Sequence, residues 1–305
     1  MSRLGTGLTI GFKTSPQRVD FATLDATWRL AGAIDAFDAG WMNDHVVDLS
    51  SEQGGASLET LTTLAALAHH VPGKWIGTAV LSNTFRQAAM LAKQATVLDN
   101  VTGGRFILGL GAGWHDGEHA AFGIDLPPMR ERFDRYESTL RVLQALFSNE
   151  ARRLPGVDLD DAFVRLRGAT NEPGTIRPGG PLIWLGGQRR RGIDLAVRFA
   201  NGWPMPGDRP GDVGYFAEKR DEIRRALEAG GRDPDDFSFA GQVASRAGTD
   251  ASGRRARAEA LAAARAFVRA GADHVIIGIP ASEGPASLEL AAREVAEPLR
   301  AEAAG

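Results

Sequence analysis

Short apolar runs alternate with longer amphipathic segments along the whole chain, and this alternation constrains the fold more than any other feature. Each run carries β-branched or aromatic residues, which predicts a strand. Each following segment has apolar residues three and four positions apart, which predicts a helix. Strands joined in this way run parallel, because each helix returns the chain to the same edge of the sheet.

Eight such units are present. The predicted strands are Leu8–Phe12, Ala36–Met42, Trp75–Leu81, Phe106–Gly111, Leu182–Gly186, Gly202–Met205, Phe237–Ala244 and His274–Ile279. The predicted helices are Phe21–Ile34, Leu58–His69, Phe85–Leu98, Arg130–Phe147, Ile193–Phe199, Tyr215–Ala229, Arg254–Ala270 and Ala286–Leu299. Eight units in 305 residues predict a (β/α)8 TIM barrel, an α/β fold formed as one domain over residues 1–305. A doubly wound sheet is the alternative. Residues 149–181, rich in Gly, Pro and Asp, are predicted as a hairpin-bearing insertion between strands four and five.

Composition narrows the chemistry and the partners. The net charge is −3, and the basic residues form no run that interleaves with aromatics, so we expect no nucleic-acid partner. No segment is apolar enough for a membrane span or a signal peptide, which predicts a cytoplasmic protein without a membrane partner. The chain has no cysteine, and its six histidines lack the spacing typical of metal sites, so we expect no metal.

Polar residues follow the second predicted strand, at the barrel end where active sites lie. They are Asn43, Asp44 and His45. His45 can give or take a proton near neutral pH, which makes it a candidate catalytic residue. Asp44 is a second candidate, with the alternative that it orients the turn or caps a helix.

Glycines two residues apart mark the end of the fourth predicted strand, at Gly109, Gly111 and Gly113. Bare backbone there lets a flat ligand approach closely, or lets neighbouring strands pack tightly. The spacing is not the dinucleotide fingerprint, because Trp114 stands where its last glycine is needed. This disfavours a nicotinamide-dependent Rossmann enzyme.

A Gly-Gly turn and a cluster of arginines follow the fifth predicted strand. Gly186 and Gly187 lead through Gln188 and Arg189 into a helix, so free backbone N–H groups and positive charge converge there. The segment is therefore a candidate phosphate site. A plain strand-to-helix turn with solvated arginines is the alternative.

In order and spacing, these segments resemble the luciferase-like flavin-dependent oxidoreductases, which include bacterial luciferase, alkanesulfonate monooxygenases and enzymes that use the deazaflavin coenzyme F420. The resemblance covers nearly the whole chain. It is carried by Asp44-His45, Gly77 to Val80, Arg86, Leu98-Asp99, Gly104 to Phe106, Gly109 to Trp114, Glu118, Phe122-Gly123, Arg132-Phe133, Ile183 to Gly187 and Phe199 to Trp203.

The resemblance implies a noncovalent flavin-type cofactor, F420 or FMN, at the mouth of the barrel. The ring would lie over the end of strand three, where family members often have a non-prolyl cis peptide bond; the matching step is Ala79-Val80. His45 would stand near the reactive edge of the ring. The implied cofactor-binding residues are Asn43, Thr78, Ala79, Val80, Gly111, Ala112, Gly113, Trp114, Gly186, Gly187, Gln188 and Arg189. Glu118 and Arg132 are expected to act as structural ties within the loop after strand four.

Two reactions on a small organic substrate are compatible with this resemblance: hydride transfer with F420, or monooxygenation with reduced FMN and dioxygen. Ala112 stands where some FMN-dependent members have an arginine for the phosphate, which favours F420 slightly. The family's habit of dimerising implies a homodimer. A flavin-binding carrier barrel without turnover is the alternative function.

Overall fold

The computed structural model describes residue 4, residues 7–49 and residues 55–303; the ends of the predicted 1–305 domain lie outside this part of the chain. A closed barrel of eight parallel strands forms its centre, as the sequence predicts. Parallel pairing of β1 with β2 and with the last strand, and of β3 with β5, closes the ring. The barrel strands are β1 (Thr9–Thr14), β2 (Ala39–Met42), β3 (Trp75–Thr78), β5 (Phe106–Gly111), β8 (Leu182–Leu185), β9 (Gly202–Pro204), β10 (Ser238–Ala244) and β11 (His274–Gly278).

Helices surround the barrel, and their bounds follow their capping residues. Asp20, Gln87, Asp212 and Asp250 each accept a hydrogen bond from a backbone N–H of the first turn that they precede. The helices are α1 (Phe21–Gly32), α2 (Thr60–Leu67), α3 (Ala88–Val101), α4 (Asp116–Phe122), α5 (Met129–Leu146), α6 (Arg190–Phe199), α7 (Val213–Ala229), α8 (Ala251–Arg269), α9 (Gly284–Ala291) and α10 (Glu297–Ala303).

Most element ends differ by one to four residues from the sequence prediction, and the predicted helix Ala286–Leu299 is divided into α9 and α10. Three other differences have a local cause. The predicted strand Trp75–Leu81 ends at Thr78, because the cis Ala79–Val80 bond interrupts it before the two-residue strand β4 (Leu81–Ser82). Helix α3 begins at Ala88 rather than Phe85, since Gln87 caps it. Helix α4 was not predicted, because its seven residues are too short to show a helical period.

Between α5 and β8 the chain forms an antiparallel hairpin of β6 (Val157–Asp160) and β7 (Arg165–Ala169). In the described part of the chain, no helix is long and apolar enough to cross a membrane.

The barrel interior is filled by aromatic residues at mid-height. Trp41 on β2, Trp184 on β8 and His274 on β11 are fully buried and pack ring against ring, with centroids 5.0 to 5.5 Å apart. Residues two positions further along each strand point inward again, one level higher. On β2 and β8 these positions are Asn43 and Gly186, at the carboxyl mouth of the barrel, whereas on β11 the position is Ile276, which is buried with the two tryptophans.

Candidate active site at the carboxyl mouth of the barrel

A histidine and a glutamate form the central pair of the mouth. Nδ1 of His45, after β2, lies 2.9 Å from Oε2 of Glu118 on α4, and the other oxygen of Glu118 accepts the backbone N–H of Val46 at 2.8 Å. Glu118 is buried, whereas the side chain of His45 is 17% exposed. An ionised carboxylate only accepts, so it fixes the proton of the neutral ring on Nδ1. In the described chain Nε2 has no hydrogen-bond partner, and it is the atom left for a ligand.

Asp44, the other catalytic candidate, is held by protein groups on both of its oxygens. Arg86 donates to Oδ2 at 2.6 Å and to Oδ1 at 2.8 Å, and the backbone N–H of Ser82 donates to Oδ2. Arg86 also bonds Glu59, and its two carboxylate neighbours raise its pKa against the opposing effect of burial. This arrangement supports the alternative role for Asp44, which is to fix the turn that carries His45.

The end of β3 presents backbone and a single valine to the mouth. The Ala79–Val80 peptide bond is cis, as the resemblance implies. A Cβ atom built on Gly111 would lie 2.9 Å from Cγ2 of Val80, and one on Gly186 would lie 3.3 Å from the same atom. The two glycines thus leave room for Val80 to project between β5 and β8. Thr78 lies apart from this surface: it is fully buried, and its hydroxyl bonds the N–H and C=O of Gly109.

The loop after β5 turns at Gly113, whose φ of +83° suits glycine. A Cβ there would also collide with the hydroxyls of Thr84 and Ser82, at 2.5 and 2.7 Å. Arg132 donates to the Gly113 carbonyl, which confirms its predicted role as a tie in this loop. Next to it, the Trp114 side chain is 64% exposed, and its ring lies edge-on to His45 with centroids 6.1 Å apart. Ala112 is half-buried beside Gly113.

The turn after β8 leads into the N-terminus of α6, where no side chain caps the free backbone N–H groups. Trp203 donates to the Gly187 carbonyl at 2.8 Å, and Tyr215 donates to the amide oxygen of Gln188 at 2.6 Å. The Arg189 side chain is exposed. Gly187 itself is buried, and its missing side chain is explained by packing, since a Cβ would lie 2.6 Å from the Cα of Gly192.

Asn43 lies two positions beyond Trp41, so its side chain points into the mouth, and its carbonyl accepts the Thr60 hydroxyl at 2.8 Å. Two further polar residues of the mouth were missed by the sequence analysis. Lys13 is the next-to-last residue of β1, and its ammonium donates to the amide oxygen of Gln242 on β10. Burial lowers the pKa of Lys13 to about 8. The only sequence signals were that Lys13 directly follows the predicted strand Leu8–Phe12 and that Gln242 lies within the predicted strand Phe237–Ala244.

A closed parallel barrel whose polar and glycine-lined groups converge at the carboxyl strand ends is the arrangement of a TIM-barrel protein with its site at that end. The chain belongs to the luciferase-like monooxygenase family, whose model matches residues 10–304.

Relatives in this family carry different names. The chain is 29% identical over 233 residues to an F420-dependent glucose-6-phosphate dehydrogenase of Kineococcus radiotolerans, covering 75% of this chain and 65% of the relative. It is 28% identical over 176 residues to an FMNH2-dependent dimethylsulfone monooxygenase of Pseudomonas putida, covering 58% of this chain and 42% of that one. The chain thus matches less than two thirds of the length of these relatives.

Solved structures share the fold at lower identity. An F420-dependent secondary alcohol dehydrogenase in complex with an F420–acetone adduct has a TM-score of 0.79 at 14% identity, and covers 96% of this chain and 99% of its own. The monooxygenase RslO1 from Streptomyces bottropensis has a TM-score of 0.75 at 20% identity, and the match covers 93% of this chain and 98% of that chain. Both likenesses support the barrel fold.

Proposed function

We propose that this protein is an oxidoreductase that binds F420 or FMN noncovalently at the barrel mouth and acts on a small organic substrate. The observation that carries the proposal is the His45–Glu118 pair, which leaves one imidazole nitrogen free at a mouth where β5 and β8 contribute glycines and β3 is followed by the small residues Ala79 and Val80. Family membership and the relatives named for F420 and FMNH2 support it.

The residues present fit such a cofactor. Ala79, Val80, Gly111 and Gly186 offer a surface free of long side chains, against which a flat ring can lie. The uncapped N-terminus of α6 and the exposed Arg189 offer donors and positive charge for a phosphate. Two hydrogen bonds hold this turn in place: Trp203 donates to the Gly187 carbonyl, and Tyr215 donates to the amide oxygen of Gln188.

His45 is the proposed acid or base. Glu118 holds the neutral ring with its proton on Nδ1, so Nε2 is free to accept a proton from a substrate oxygen and, once protonated, to return it. When bound, the cofactor supplies hydride transfer in the case of F420, or dioxygen activation in the case of reduced FMN. The Trp114 ring stands edge-on beside His45, with ring centroids 6.1 Å apart.

Between the two cofactors we favour F420, because Ala112 offers no positive charge beside Gly113. The alternative function is a carrier barrel that binds a flavin without turnover. The orientation of His45 by Glu118 favours the enzyme, since a carrier needs no oriented proton donor.

Titrating the purified protein with F420 and with FMN, followed by quenching of cofactor fluorescence, tests the proposal. We expect F420 to bind more tightly, and His45→Ala to bind the cofactor normally while lowering turnover about 100- to 10,000-fold. His69→Ala, at an exposed histidine on the surface, is the matched control. Tight FMN binding without F420 binding would reverse the cofactor assignment, and turnover unaffected by His45→Ala would favour the carrier.

A further inference from the structure

One side of the mouth carries a lysine that the proposed cofactor site does not use. Lys13 on β1 and Gln242 on β10 flank β11, which stands across the barrel from the glycine-bearing strand β5. Between them, Gly278 of β11 has no side chain, and the ammonium of Lys13 reaches across to bond Oε1 of Gln242 at 2.5 Å. Lys13 therefore faces the cofactor surface from the opposite wall.

Gln242 holds the ammonium in a fixed place. Its amide nitrogen donates to the Met205 carbonyl, which leaves its oxygen as the acceptor for Lys13. A Cβ on Gly207 would lie 3.2 Å from Nζ of Lys13, so the absence of a side chain at Gly207 keeps that approach open. An ammonium has three donors and the described protein uses one, so two N–H groups remain for a ligand.

Within residues 7–49 and 55–303, no carboxylate forms an ion pair with the Lys13 ammonium. The two acids of the candidate active site are committed elsewhere: Asp44 to Arg86 and Glu118 to His45. Asp208 and Arg209, which follow Gly207, are exposed. A partly buried charge without a partner is costly, and a bound anion would relieve that cost.

We propose that Lys13 binds a carboxylate of the substrate, so that the substrates of this protein are small organic acids. One positive charge is matched by one carboxylate, whereas a phosphate dianion would bring a second, uncompensated charge into the same place. The description of the acid as a substrate rests on the proposed oxidoreductase function. The anion site itself follows from the contacts of Lys13 alone.

Calorimetric titration of the protein without cofactor tests the anion site. The probes are benzoate and hexanoate, their neutral amides, and inorganic phosphate. We expect each acid to bind at least about tenfold more tightly than its amide. Lys13→Met and Lys13→Gln should lose this preference, while Lys93→Gln, a lysine on α3 away from the mouth, should keep it. Folding of each variant is checked by circular dichroism.

Proton uptake gives a second readout. Because burial lowers the pKa of Lys13 to about 8, about half of the ammonium is deprotonated at pH 8, and binding of an acid should take up about 0.5 proton. Equal binding of acids and amides, binding unaffected by both Lys13 variants, or tighter binding of phosphate than of the acids would overturn the proposal. Cofactor titration of the same proteins separates the two ideas: we expect Lys13→Met to bind F420 as the wild type does, and failure of the wild type to bind F420 or FMN would overturn only the oxidoreductase function.

Discussion

Two levels of the barrel interior, one above the other on the same strands, have opposite character. The lower level is closed by Trp41, Trp184 and His274, all fully buried. The upper level is the mouth above them: two residues further along, Asn43 follows Trp41 and Gly186 follows Trp184, whereas β11 has the buried Ile276 at that position. On β8 the side chain therefore changes from tryptophan to none over a single repeat of the strand. On β2 and β8, alternate residues of one strand therefore specify both the closed floor and the space above it.

The electrostatics of the two levels differ as well. In the lower level the only titratable group among the three large residues, His274, is kept neutral: burial lowers its pKa to about 3, and Nε2 accepts the Trp41 indole N–H at 3.0 Å. In the upper level charged groups are retained: Asp44 is paired with Arg86, and the Glu118 carboxylate is hydrogen-bonded to His45 and to the Val46 N–H. We therefore expect the lower level to stabilise the fold through packing around a neutral His274, and the upper level through the ion pair of Asp44 with Arg86.

The largest effect is expected from breaking the charge pairing of the upper level. Arg86→Met would leave the Asp44 carboxylate buried without its cation, and should lower the free energy of unfolding by about 3 to 5 kcal/mol. Urea denaturation measures the change. Arg135→Met, which removes an exposed pair with Glu131, is the control and should cost less than about 1 kcal/mol. Equal losses in the two variants would contradict the comparison.

Gly186 and Gly187 are adjacent, but only Gly187 is packed against neighbouring backbone. In Gly187→Ala the new methyl would meet backbone atoms of Gly192, and we expect a loss of about 2 to 3 kcal/mol in the free energy of unfolding. In Gly186→Ala the methyl would meet only the Val80 side chain at 3.3 Å, so stability should change by less than about 1 kcal/mol while cofactor binding weakens. Denaturation and cofactor titration of both variants check this. A larger loss of stability in Gly186→Ala than in Gly187→Ala would contradict the packing role of Gly187 against Gly192.

The pH dependence of stability tests the neutrality of the lower level. Between pH 6.5 and about 3 the unfolded histidine binds a proton that native His274 does not, so this residue lowers stability as the pH falls through that window, by at most about 1.4 kcal/mol per pH unit. His274→Gln, which keeps an acceptor for Trp41, should flatten the curve. Chemical denaturation between pH 7 and 4.5 measures the slope. An unchanged slope would show that His274 is not held neutral.

The smallest effect is expected from removing the unpaired charge. Lys13→Met should raise the free energy of unfolding at pH 7 by about 1 to 2 kcal/mol, because a desolvated ammonium is lost. Because the pKa of Lys13 is about 8 in the folded protein and its ordinary value is 10.5, the stability of the wild type should rise relative to that of Lys13→Met as the pH rises from 8 to 10.5. Thermal denaturation across that range, with Lys93→Gln as control, checks it. A destabilised Lys13→Met protein at pH 7 would argue against an unpaired charge.

The barrel was predictable because its signal is periodic and repeated. Apolar strand runs and amphipathic helices recur eight times, and each helix shows the apolar stripe that packs on the strands. Elements without a periodic pattern were harder to predict. The helix α4 is too short to show one, and the break in the strand at Ala79–Val80 was indicated by the family resemblance and not by a sequence pattern.

The site was predicted in part. Strand ends located His45 and the glycine segments, because polar or small residues after an apolar run are visible in the sequence. Pairings between distant residues were not visible: Glu118 lies 73 positions from His45, and Gln242 lies 229 positions from Lys13. For Gly187 the sequence suggested room for a ligand, whereas in the structure the missing side chain makes room for Gly192. The sequence alone does not distinguish these two reasons for a glycine.

The tryptophan pair under the mouth gives the molecule a built-in optical reporter. Trp41 and Trp184 lie with ring centroids 5.0 Å apart at the floor of the proposed site. Their near-ultraviolet emission overlaps the absorption of a flavin or deazaflavin, so a ring bound above them would receive their excitation by resonance transfer. Dimming of indole emission thus registers occupancy directly, without a label and without turnover.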